Sequence, residues 1–196
     1  YTMGVNWLHY SKNSYQTVVL SRNMLNNSAS RYKYRIETPE NLLFDYASFE
    51  AENKFRFEHN YTKNGWRLNA GFAYEYSRYY NKTYNNITVQ GAPVIVDFES
   101  NLFLSKAAIF GQLSKGFINE RLNLSLGLRS DVNTYSKSMM NPLEQLSPSL
   151  SINYRINEQW ALNGNIARYH QLPSYTILGY GNTAGILVNI SCTNPS

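Results

Sequence analysis

The stretch RLNLSLGLRSDVNTY, from Arg121 to Tyr135, constrains the fold more than any other part of this chain. Leu122, Leu124, Leu126 and Leu128 alternate with Asn123, Ser125, Gly127 and Arg129. A period of two puts every leucine on one face of a strand and every hydrophilic residue on the other. A soluble sheet turns such an apolar face toward a core. A membrane barrel turns it outward, toward lipid.

The same period recurs along the chain. Trp66, Leu68, Ala70, Phe72, Tyr74 and Tyr76 oppose Arg67, Asn69, Gly71, Ala73, Glu75 and Ser77. Phe49, Ala51, Phe55 and Phe57 oppose Glu50, Glu52, Lys54, Arg56 and Glu58, with Asn53 breaking the apolar side. Leu150, Ile152, Tyr154 and Ile156 oppose Ser149, Ser151, Asn153 and Arg155. The patterns predict strands near 3–10, 14–22, 43–61, 66–80, 100–115, 121–135, 147–156 and 160–171, with a weaker ninth near 184–191. Short turns join some of them. Thr62-Lys63-Asn64-Gly65 carries Asn-Gly, the strongest short hairpin signal. The other connections, about 23–41, 81–99, 136–146 and 172 onward, read as long and rich in Asn, Ser, Pro and Tyr. No long helix, linker or domain boundary is visible, so 1–196 reads as one β domain.

Three features favour lipid over a soluble core. Several strands run well past the five or six residues typical of globular sheets, and a tilted membrane-crossing strand needs about 9–11. Charges such as Glu52, Lys54, Arg56 and Glu75 sit in mid-strand, which suits a wet lumen. Short and long connections alternate, as periplasmic turns and outer loops do in outer-membrane barrels. Trp7, Trp66 and Trp160 all lie toward the short-turn end and are candidates for an interfacial aromatic girdle. The fold class expected is an all-β, antiparallel, up-and-down transmembrane barrel.

Composition narrows the function classes. No stretch holds the roughly 18 consecutive apolar residues of a transmembrane helix. The net charge of +5 is spread as scattered Lys and Arg, with no basic run and no nucleic-acid motif, so no nucleic-acid partner is expected. One cysteine, Cys192, allows no internal disulfide. His9, His59 and His170 stand far apart, and no metal or cofactor is expected. No nucleophile elbow, Walker loop, dinucleotide fingerprint or His-Glu-x-x-His motif appears. His170 with Ser174 is the one nearby pair of that chemistry, and nothing supports it, so the chain is not read as an enzyme.

The segment Ala107–Leu113, leading into Leu122–Asp131, resembles the "FGQL … LGLRSD" hairpin of TonB-dependent outer-membrane receptors. Leu146–Tyr154 resembles the family's "SPRLSLSY" strand, with Ser149 in place of the usual arginine, and Ala167–Tyr175 resembles the strand end and loop that follow. The match is good over 100–183 and looser over 1–99. It implies a segment of eight or nine strands from a 22-stranded barrel in the outer membrane of a Gram-negative bacterium. The family's plug, TonB box and aromatic-ended last strand have no counterpart here, and residues 190–196 depart from the family pattern. The implied function is energised uptake of a scarce nutrient such as an iron chelate, cobalamin or glycan. The implied partners are lipid, the TonB–ExbB–ExbD complex acting through the plug, and a small nutrient ligand; a surface lipoprotein lid stays open. Substrate contacts would come from outer-loop residues: Tyr79, Tyr80 and Tyr84 in one group, Tyr169, His170, Tyr175 and Tyr180 in another. Two alternatives remain at this point, a self-contained eight-stranded barrel of structural or adhesive role and a secreted soluble carbohydrate-binding β protein.

Overall fold

The computed structural model describes residues 1–89 and 91–179. Eight strands lie in one antiparallel sheet in sequence order: β1 (Thr2–Ser11), β2 (Ser14–Tyr32), β3 (Leu42–Lys63), β4 (Trp66–Val89), β5 (Ala92–Phe117), β6 (Leu122–Asn133), β7 (Leu146–Arg155) and β8 (Ala161–Ala167). Each strand pairs only with its sequence neighbours, so the sheet is up-and-down, and β1 does not pair with β8. An eight-stranded closed barrel is therefore ruled out for these strands. The ninth strand anticipated near 184–191, Cys192 and Tyr180 lie outside the described residues.

The pairing register sorts every side chain to a face, because directly opposed residues share one. Leu68, Leu113, Leu126, Leu150 and Ile166 follow one another across β4–β8 in a single row. Leu126 is 63% exposed and Ile166 73%. The other face carries Ser77, Asn81, Ser100, Ser114 and Ser147, all buried. The sheet thus leaves leucine bare and covers serine and asparagine, the inverse of a soluble sheet. The apolar run on β4, Trp66 to Tyr76, spans about 33 Å of strand, or about 24 Å of height at a 45° tilt, which matches the apolar band of an outer-membrane barrel. Along the Leu126 row the distance from each strand's own short turn grows by roughly six residues from Ser14 to Ile166, the stagger that strand tilt produces.

Two connections differ from the sequence reading. Residues 23–32 continue β2, and the link to β3 is only 33–41, with short 3-10 turns at Lys33–Arg35 and Pro39–Asn41. Residues 81–99 do not form a long loop: β4 and β5 stay paired to Val89↔Ala92, and Gly91 between them takes φ +83°. The Asn-rich, Tyr-rich composition disguised this. Ile87-Thr88-Val89 and Val94-Ile95-Val96 are nonetheless β-branched runs around a glycine turn, which is hairpin chemistry. At 24 and 26 residues, β4 and β5 reach about 80 Å, far beyond the apolar band. At the other end β8 stops at Ala167, short of the expected 171.

In the intact protein Leu126→Arg is expected to cost about 2–4 kcal/mol of folding stability, and Ser125→Arg, on the opposite face, much less. Equal costs in a folding titration into lipid would contradict the face assignment.

Candidate functional site

The covered face is built around charged residues that the strand register brings to one level. On β3, Glu52 and Lys54 alternate with outward residues; on β4, Glu75 faces Lys54; on β5, Lys106 faces Glu75. Lys54 Nζ lies 2.5 Å from Glu52 Oε2 and 3.6 Å from Glu75 Oε2, and Lys106 Nζ lies 2.8 Å from Glu75 Oε1. Lys54–Glu52 runs along β3 and the other two pairs cross between adjacent strands; each is partly shielded from water, where pairing counts for more than at an open surface.

The chain after β8 turns back over this cluster. It forms one short helical turn, α1 (Tyr175–Leu178). Tyr175 and Leu178 bury against Tyr79, Leu102 and Leu104, with Leu172 and Tyr135 at the margin. The Tyr175 ring lies 6.2 Å from that of Tyr79, and Lys106 Nζ sits 4.6 Å from the Tyr175 ring centroid. The Tyr175 hydroxyl receives a hydrogen bond from Lys106 Nζ at 2.5 Å. Three acceptors surround its single proton: Glu52 Oε1 at 2.9 Å, Glu75 Oε1 at 2.9 Å and Ser77 Oγ at 2.8 Å. One phenol can donate to only one of these at a time, and Glu75 Oε1 already accepts from Lys106 and Ser77. Burial holds the Tyr175 phenol above its ordinary value of 10.0; the Ser77 hydrogen bond opposes this rise and the Glu75 carboxylate adds to it.

Above the hub the inner wall of β4 is a ladder of polar groups. Asn81 donates to the Tyr79 hydroxyl at 3.0 Å, and Thr83 donates to Asn81 at 2.7 Å. Asn85 Oδ1 and Ser100 Oγ are buried on the same wall and have no hydrogen-bond partner among the described residues. Unpartnered buried polar atoms are uncommon and call for a partner. Below the hub, a cavity of about 610 Å³ is bounded by Arg56, Phe110, Arg129, Tyr169 and His170. Arg56 and Arg129 flank the Phe110 ring at 5.3 and 5.6 Å. Phe110 lies opposite Gly71, where an added Cβ would meet the ring at 2.8 Å, so the glycine leaves the ring its space. Arg129 is held by Asp131 through two 2.6 Å hydrogen bonds, and Arg56 pairs with Glu58.

The tyrosines and histidine expected to form the site divide into three groups. Tyr79 and Tyr175 meet in the interior, and Tyr169 and His170 line the cavity. Tyr80 and Tyr84 stand on the outward face of β4, opposite Asn101 and Asp97 of β5, and Tyr79, Tyr80 and Tyr84 all belong to a strand, not a loop. Glu52, Glu75, Lys106, Phe110 and Arg129 were not singled out as site residues, although several of those charges lie in the mid-strand set that reads as luminal. Nothing in sequence order links Tyr175 to Glu52, 123 residues away. As to the tryptophans, Trp66 opens β4 beside the Asn64-Gly65 turn with Lys115 Nζ 4.3 Å from its ring. Trp160 is exposed just before β8, and Trp7 lies two outward positions above Ser11, stacked on His9.

The family model described as "TonB dependent receptor-like, beta-barrel" matches residues 1–194. The chain belongs to the TonB-dependent receptor β-barrel family. Proteins of this family are outer-membrane transport proteins and not enzymes. Among solved structures the chain is similar to one described as "Copper transporter OprC", with a TM-score of 0.63 at 15% sequence identity, over 91% of this chain and 31% of that one. The chain thus spans about a third of the length of that structure. No curated protein matches it in sequence.

The geometry makes Tyr175 the pin of the returning segment. In the intact receptor, Tyr175→Phe is expected to loosen residues 172–178 by about 1–2 kcal/mol, read by hydrogen exchange. The sign with pH follows from the raised phenol: its contribution is full at neutral pH, begins to weaken only above the ordinary value of 10.0, and is lost as pH rises through the higher folded value. A phenolate titration identical in both proteins through pH 10.0 is expected; a difference appearing below that point would contradict the buried hub.

Proposed function

We propose that this chain is the barrel wall of an energised outer-membrane importer, and that its ligand is held on the inner face between the Tyr175 hub and the β4–β5 hairpin. The observation that carries the reading is the returning segment: residues 168–179 lie over a paired-charge cluster on the inner face of tilted, membrane-length strands. Such a contact can be exchanged for a ligand from outside without disturbing the backbone ladder. TonB–ExbB–ExbD would energise uptake through a plug, and the membrane would be that of a Gram-negative bacterium.

The neighbour's description makes copper one candidate cargo. Among the described residues no three His, Cys, Asp or Glu side chains converge on a metal-sized site. What the wall offers is tyrosine rings, carboxylates, ammonium groups and two unpartnered polar atoms. That set suits a polar organic ligand such as a metal chelate, a corrinoid or a glycan, which presents both a face to stack and an edge to hydrogen-bond. Tyr79 and Tyr175 are the proposed contacts there; Tyr169 and His170, on the cavity below the hub, are proposed as contacts farther along the ligand's path. Tyr80 and Tyr84, facing outward, would be reached only by ligand or lipoprotein outside the barrel wall.

Uptake of a labelled ferric chelate, cobalamin and an oligosaccharide by cells carrying the intact receptor tests this. One of the three is expected to accumulate only while the membrane is energised, and Tyr79→Ala with Tyr175→Ala to cut that uptake about tenfold or more. Undiminished uptake in the double variant would reject the inner site; accumulation unaffected by a protonophore would reject the importer.

A further inference from the structure

Strand β5 is paired on both sides through the apolar band and on one side only above it. From Phe117 to Lys106 it pairs with β6 as well as β4, as lipid requires of backbone at that depth. At Thr134 the chain leaves β6. Thr134 N–H donates to the Ser105 carbonyl at 3.0 Å, Ser105 N–H donates to Thr134 Oγ1 at 3.1 Å, and Tyr135 then packs against the inner cluster. Beyond that point β4 alone accompanies β5, as far as Val89↔Ala92. Ser105 turns both of its backbone groups to the β6 side. By the alternation of an antiparallel ladder, Phe103, Asn101, Glu99, Asp97 and Ile95 turn theirs the same way. Among the described residues no strand receives them. The free edge from Ile95 to Phe103 is roughly 27 Å long.

Water satisfies such an edge, but a long one is also a template for a further strand. Pro93 closes its upper end, since proline has no N–H to offer there. Between Pro93 and Phe103 the outward side chains are Ile95, Asp97, Glu99 and Asn101, all exposed. Lys82 opposes Glu99 on β4, yet among the described residues no cation lies within ion-pairing distance of Asp97 or Glu99. Two neighbouring uncompensated carboxylates select what the edge accepts. A second copy, paired antiparallel through its own β5 edge, would set acid against acid in each central register: Asp97 on Glu99, or either on itself. Like charges directly opposed destabilise a strand pair. A strand with Lys or Arg at those positions is complementary. Apolar residues beside them would lie against Ile95 and Phe103, which are 57% and 51% exposed.

We propose that the β5 edge above the membrane is a docking site for an extended, Lys- or Arg-bearing segment of an extracellular protein, added to the sheet as a further strand. Backbone hydrogen bonds to Ile95, Asp97, Glu99, Asn101 and Phe103 supply the attachment, and the two carboxylates supply the selectivity. The site rests on the strand pairing and is independent of which ligand enters the lumen.

The test uses the intact receptor in uncharged detergent, with heat-modifiable gel mobility as the check that each variant is folded. The probe is a synthetic peptide alternating lysine and valine, matched in length to Ile95–Phe103 and N-methylated along one edge so that it cannot stack on itself. It is expected to slow hydrogen exchange at residues 95–103, and the same peptide with glutamate for lysine is expected not to. Asn101→Pro removes one edge N–H and no hydrogen bond to β4, and is expected to weaken binding about tenfold or more. Asp97→Lys with Glu99→Lys, which leaves the backbone intact should the proline variant fail to fold, is expected to reverse the preference toward the glutamate peptide. No protection by the lysine peptide, equal protection by both peptides, unchanged binding in folded Asn101→Pro, or an unreversed preference in the charge variant would each overturn the proposal. A receptor dimer that Asn101→Pro dissolves would seat a second copy on the edge and overturn it too.

Discussion

Lipid cannot hydrogen-bond a peptide group, and that constraint shapes everything else in this chain. Each N–H and C=O at membrane depth needs a partner on a neighbouring strand. The pairing accordingly runs without a break along β4 and β5, and the one register shift between β2 and β3 falls at Arg31/Tyr32, far above the band. An unbroken ladder fixes the alternation of side chains over the whole length of each strand. Sequence then has only two faces to assign. The apolar set goes to lipid, and the polar set is left to fill the inside.

That inner filling has its own logic. A wall of serine and asparagine can be covered closely by other parts of the chain, because small residues leave room and offer hydrogen bonds. The larger inner residues come as opposite-charge pairs, Glu75 with Lys106 across two strands and Arg129 with Asp131 along one, so the interior is charged but locally compensated. Tyr175 brings a neutral donor to two carboxylates that already have lysine partners. A neutral plug over a compensated cluster can leave without exposing a bare charge, which is what a replaceable cover requires.

Faces were legible in the sequence and ends were not. The alternation in RLNLSLGL assigned Leu126 and Ser125 to opposite sides, because period two is a local property. The extent of β2, β4 and β5 was hidden, because above the membrane the pattern loses its apolar side: Tyr80, Lys82 and Tyr84 are outward, yet read as loop chemistry. The hairpin there is maintained by cross-strand pairing, which composition does not report. The inner charges could be read as luminal one by one. Their meeting with Tyr175 depends on how a segment about 100 residues downstream folds back, and no spacing rule reaches that far.

A closed barrel of eight strands has an interior just wide enough for its own side chains. Here the inner face holds its own side chains, a folded-back segment with a helical turn, and a further cavity of about 610 Å³. No eight-stranded closure leaves that space. The edges of β1 and β8, unpaired among the described residues, lead to the same conclusion, since an open edge in hydrocarbon leaves several backbone groups without partners at several kcal/mol each. Among the described residues these strands therefore form an open arc and not a closed eight-stranded barrel.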